Sequence, residues 1–172
     1  MPASRGHAAR IGRAAMGERL GGFIYGTILV LSVVIAGAKA YPHETGHIAA
    51  LVLGTSVVFW LAHVYAHSVG HAVAQDEHLS LAEFGHIAHR EASIVEAALP
   101  PFVALLLGAI GLISDNAAIW AALGLGLVVL GAQGLAVARV ERMGLVGTLL
   151  VVAGNVGIGL ILIGVKLAVS HH

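Results

Sequence analysis

Cysteine is absent from this 172-residue chain. That excludes disulfides, thiolate zinc sites, iron–sulfur clusters and a cysteine nucleophile. Charge is scarce as well, at 10% of residues, with nine basic and nine acidic side chains cancelling. A soluble globular chain carries roughly 25% charged residues, and a nucleic-acid binder needs a basic face. No nucleic-acid partner is therefore expected. Aromatics make up 5% and prolines number four. No Gly-x-Gly-x-x-Gly or Walker string follows a strand pattern, and no Gly-x-Ser-x-Gly elbow offers a serine nucleophile. Strand-like alternation is missing too, which argues against a β-barrel.

What fills the chain instead is apolar. Hydrophobic residues reach 58% and glycines number 23. Crossing a bilayer takes about 20 mainly apolar residues at 1.5 Å each. Stretches of that kind are expected at about 20–38, 47–74, 92–113, 117–137 and 145–165, after a tail at 1–18. The expected fold is all-α, an integral membrane bundle of five transmembrane helices. The arginine-flanked first run ending at Ala38-Lys39-Ala40 has features of a secretory signal, but it is too long for one and reads as an uncleaved helix.

Orientation follows from the basic residues. With the N-terminus inside, Arg5, Arg10, Arg13, Arg19, Arg90, Arg139 and Arg142 share the cytoplasmic side, against only Lys39 and Lys166 outside. This predicts an N-in, C-out protein of a cell membrane, with the lipid bilayer as its first partner. The bias toward alanine, glycine, valine and arginine hints at a GC-rich bacterial genome, and with it a bacterial inner membrane is expected. Gly17/Gly21 and Gly22/Gly26 have the spacing that lets helices approach closely. Thr27, Ser32, Thr55, Ser56, Gln133 and Asn155 read as helix–helix hydrogen-bonding residues.

Eleven histidines in so apolar a chain are the main chemical feature. His63, His67 and His71 fall at i, i+4 and i+8 on one helical face. The next segment carries Glu83, His86, His89 and Glu96, beside Arg90 and Glu91. Its Glu83-Phe84-Gly85-His86 is a Glu-x-x-His unit, of which di-iron and di-manganese bundles use two copies with further carboxylates. Ionisable groups inside a bilayer are costly and mark pathways or sites. Pro100-Pro101 beyond them would interrupt the backbone ladder, as where a helix lines a cavity. His63, His67, His71, Glu83, His86, His89 and Glu96 are therefore the candidate ligands of a divalent transition metal, zinc or iron, or the groups of a proton path. The plainer reading is a belt of interfacial histidines.

A second constellation lies at the other end. His43-Glu44-Thr45-Gly46-His47 resembles the His-Glu-x-x-His motif of zinc metallopeptidases, in which two histidines bind zinc and the glutamate activates water. Pro42 and Gly46 place it on a loop or first helical turn, whereas that motif sits inside a regular helix. A third ligand would have to be Asp115, His171 or His172. Asp115-Asn116 otherwise reads as a helix N-cap. A single multi-histidine centre like that of membrane desaturases is disfavoured, because His47 and His67 are about 30 Å apart along one helix. The leading expectation is a protein that binds or conducts a metal cation or protons. A membrane-embedded zinc hydrolase using Glu44 is the alternative from another class, and a non-catalytic partner subunit is the third. A chain with so few helices would need a homo-oligomer or a larger partner to enclose a pore.

Overall fold

The computed structural model describes residues 3–75 and 81–170 of the chain. Among them every regular element is helical: α1 (Ala3–Ala40), α2 (Thr45–Gln75), α3 (Leu81–Glu91), α4 (Ser93–Glu96), α5 (Leu99–Ala109), α6 (Asp115–Val140) and α7 (Leu145–Ser170). Four of them, within Met16–Ala40, Thr45–Gly70, Asp115–Val140 and Leu145–Gly164, are long and apolar enough to cross a membrane.

Two elements differ from the sequence reading. The first helix starts at Ala3, so most of the expected tail continues α1. The expected third span at 92–113 is a broken element that begins earlier. Glu83–Glu96 and Leu99–Ala109 meet at a bend of 50°, and the two pieces count as one span only when taken together. Proline accounts for the break. Neither Pro100 nor Pro101 has an N–H to donate to the carbonyl four residues back, so the Glu96 and Ala97 carbonyls lose their helical donors. Both prolines fall at the start of α5, where a missing N–H is harmless.

The core lies between α1, α2, α5 and α6. Leu31 and Val34 of α1 pack with Ile48 and Val52 of α2, Leu105 of α5, and Leu123 and Leu130 of α6, all fully buried. α7 packs mainly along α6. Only 6% of its apolar window is buried, which makes it the peripheral helix. Glycine lets the broken element sit against α1. A Cβ on Gly26 would lie 2.8 Å from the Ile94 carbonyl oxygen and 3.0 Å from its Cα. One on Gly22 would lie 2.6 Å from Ser93 Oγ. Of the two pairs with four-residue spacing, Gly22/Gly26 is thus the seat of α4, while Gly17 and Gly21 face open space.

The polar residues inside the apolar helices make two kinds of bond. Thr27 and Gln133 join α1 to α6 through Gln133 Nε2 donating to Thr27 Oγ1 at 3.3 Å, and Asn155 donates to the Leu130 carbonyl across α6 and α7. Ser32 and Ser56 donate to carbonyls four residues back on their own helices, as the Thr27 hydroxyl also does to Phe23 while accepting from Gln133. The hydroxyl competes for a carbonyl already in reach, which is the local alternative to a cross-helix bond.

Candidate functional site

The sequence separates two groups of ionisable residues, and the structure keeps them at opposite ends of the bundle. At the end where α1 and α6 carry arginines, α2 and the broken element bring opposite charges together. Arg19 of α1 donates to both carboxylate oxygens of Glu96, at 2.9 and 3.1 Å. Its neighbour Glu18 pairs with Arg90 of α3 at 3.1 Å. The adjacent Glu18-Arg19 of α1 thus meets Arg90 and Glu96 in complementary order, tying α1 to α3 and α4.

His67 of α2 completes this lattice. Its Nδ1 lies 2.9 Å from Arg90 Nη2 and 3.2 Å from Glu91 Oε1. Glu91 is buried, with 10% of its side chain exposed, while the imidazole is 46% exposed. Arg90 Nε stands 3.6 Å from the same Glu91 oxygen, too long for a hydrogen bond. A buried carboxylate therefore has a guanidinium and an imidazole as its neighbours. The indole of Trp60 donates to the Ala88 carbonyl at 2.9 Å and fixes α3 against α2.

Of the other candidate ligands, His63 and Glu96 have partners of their own. His63 Nδ1 lies 3.0 Å from the Phe59 carbonyl of its own helix, with the ring 5.2 Å from that of Tyr25. Glu96 is engaged by Arg19. Glu83, His86 and His89 are exposed on α3. His71 continues α2, its side chain lying outside the described residues. Among the described residues no three histidines or carboxylates are grouped so as to hold a metal ion.

Sequence reasoning noted Arg90 and Glu91 but did not place them in the site, used Arg19 only for orientation, and overlooked Glu18. The available signal was adjacent opposite charge at the end of an apolar helix. With so few charges in the chain, such a pair calls for a partner of the opposite order.

At the far end, α2 and α6 begin side by side. The Thr45 hydroxyl donates to Asp115 Oδ1 at 2.7 Å. The N-cap of α6 is Ser114, one residue earlier than expected. Its hydroxyl accepts from the Ala117 N–H, and Asp115 occupies the first turn. A carboxylate there meets the positive end of the helix dipole. His43 and Glu44 precede α2, as the proline and glycine implied, and line a cavity of about 270 Å³ with Thr45, Gly46, Gly108, Ala109, Gly111 and Asp115. His47 is not part of that lining. Its Nδ1 pairs with Glu44 at 2.6 Å, and its ring stacks on Tyr41 with centroids 5.3 Å apart. The carboxylate that would activate water in a zinc hydrolase is thus held by one of the two expected ligands, while the other faces the cavity. No known family, curated protein or solved structure matches this chain.

Proposed function

We propose that this chain is a multi-pass protein of a cell membrane, a bacterial inner membrane by its composition, that binds and passes protons at its cytoplasmic end. In this reading the N-terminus faces the cytoplasm and the C-terminus the exterior, and the bent α3–α5 element serves as the third of five spans. The His67–Glu91–Arg90 group is its working centre.

A single nitrogen with two incompatible neighbours carries the reading. An unprotonated Nδ1 is an acceptor and can take a hydrogen bond from Arg90, but has nothing to give Glu91. With a proton on Nδ1, in that neutral tautomer or in the imidazolium, the ring donates to Glu91 and can no longer accept from Arg90. One nitrogen cannot do both at once, so a proton reaching Nδ1, from Nε2 or from outside the ring, exchanges one partner for the other. Arg90 also holds Glu18, which couples the exchange at α2 to the α1–α3 contact. Histidine suits this work because its unperturbed titration falls in roughly pH 5–8. The bend at Pro100-Pro101 gives the element that carries Glu91 a place to move.

Liposomes containing the purified protein and a trapped pH-sensitive dye test the reading. Under an imposed pH gradient the intact protein should carry protons well above the leak of empty vesicles. His67→Ala and Glu91→Gln should each cut that flux at least tenfold, and Glu44→Gln should leave it unchanged. Flux no greater than in empty vesicles would overturn the proposal. If the same liposomes instead took up Zn²⁺ or Fe²⁺ in a His67-dependent manner, the metal version would replace it.

A further inference from the structure

A cavity of about 350 Å³ runs along the seam of α1 and α6, lined by Leu20 and Phe23 from one helix and by Val129, Ala132, Gln133 and Ala136 from the other. Its volume falls within the roughly 300–1,000 Å³ of small-molecule sites. All of these side chains but one are apolar, and the two alanines leave the room that larger residues would fill. Gln133 is the exception. It is 6% exposed, and its Oε1 has no hydrogen-bond partner among the described residues.

A neighbouring hydroxyl fixes which end of the amide is left over. Thr27, fully buried, donates its single proton to the Phe23 carbonyl at 2.8 Å. Toward Gln133 it can then only accept, so Nε2 must face it and Oε1 is the free end. Flipping the amide would set two acceptors against each other. The amide is thus held by its donor end between two helices, with its carbonyl unclaimed beside an apolar cavity. Gln133 lies six residues before Arg139, about 9 Å along α6 from the arginine-bearing end. In a bilayer no water satisfies a carbonyl at that depth, and a hydroxyl dissolved there is equally without a partner.

We propose that this cavity binds a neutral, apolar molecule of the membrane that carries a hydroxyl, an alcohol or phenol, whose O–H is given to Gln133 Oε1. A phospholipid does not meet the requirement, because its polar groups stay at headgroup level and its acyl chains have no donor. A charged ligand would find no charged side chain in these walls. The inference rests on the membrane part of the proposed function and not on proton passage.

The chain has two glutamines, Gln75 and Gln133, so a glutamine-selective ¹³C label on the side-chain carbonyl reports the site in detergent-solubilised protein, with Gln75→Glu to assign the signals. Titration with para-tert-butylphenol should move the Gln133 signal saturably. Its methyl ether, the same body without a donor, should act about tenfold more weakly. Ala132→Phe, which fills the cavity and leaves the amide in place, should abolish the phenol response. An undiminished response in that variant would overturn the site, and an equal response to phenol and ether would reduce it to acyl-chain contact. No saturable shift with the phenol would sink the inference, even if Ala132→Phe failed to fold. A phenol response with no proton flux in liposomes would retain this site and remove the proton reading. Flux without the response would do the reverse.

Discussion

At the scale of single residues, the placement of glycine is the most sharply constrained feature. Gly26 lies against the backbone of Ile94, and backbone cannot rotate away as a side-chain tip can. Gly26→Ala should therefore push α4 off α1 and lower stability by about 1–3 kcal/mol, the usual range for overpacking. Gly54, on the same kind of apolar helix, has nothing within 4 Å of where its Cβ would be. Gly54→Ala should be neutral or stabilising by up to about 1 kcal/mol, since alanine holds a helix better. Paired thermal unfolding curves in one detergent check both. The Arg19–Glu96 contact, one guanidinium nitrogen shared between two carboxylate oxygens, is the opposite case. Its partners are 53% and 38% exposed, so removing it with Glu96→Gln should change stability by less than about 1 kcal/mol. Its value lies in orienting α4.

Among the helices, the ends show how little sequence punctuation the fold needs. α5 and α6 stop in the same way. In α5 the Gly111 N–H reaches the Gly108 carbonyl and the Leu112 N–H the Leu107 carbonyl, with Gly111 at φ 76°. In α6 the Arg142 N–H reaches Arg139 and the Met143 N–H reaches Ala138, with Arg142 at φ 53°. Both are Schellman endings, but the second puts a side chain where glycine is preferred, at a conformational cost of about 1–2 kcal/mol. Arg142→Gly should raise stability by up to about 1 kcal/mol, part of the gain being offset by the greater freedom of unfolded glycine. Gly111→Ala should lower it by a similar amount. Chemical or thermal unfolding of the two variants is the measurement, and their opposite signs make it a strict one.

For the molecule as a whole, the arrangement of charge predicts how it would lie in a membrane. The arginine-bearing ends of α1, α3 and α6 lie together, and the Thr45–Asp115 contact marks the other end. With no native cysteine, single cysteines at Asn116 and Gly144 can be labelled without background. A membrane-impermeant maleimide added to intact cells should modify the first and not the second. The reverse pattern would invert the proposed orientation and move the His67 centre to the exterior. The two ends also differ in how they are joined. Thr45→Val, which removes the one side-chain bond described between the starts of α2 and α6, should cost about 1–2 kcal/mol because it leaves Asp115 one hydrogen bond short.

Much of the helical architecture was legible in the order of residues. Long apolar runs bounded by scarce charges dictate helices, since a backbone far from water must satisfy its own hydrogen bonds within one segment. The runs around α2, α6 and α7 were readable to within a few residues, and the double proline marked the break. The candidate site was legible only in outline. Helical spacing placed His63, His67 and His71 on one face, yet it could not say which neighbour that face would meet. That choice belongs to the bend after Glu96 and to the glycine seat on α1, which set the rotation and depth of α3 and α4. The result brings Glu91 rather than Glu83 to His67, and gives Glu96 to Arg19. Local periodicity determines what a helix can present. Only the packing of helices far apart in the chain decides which charge receives it, because each close approach depends on backbones meeting where a side chain is missing.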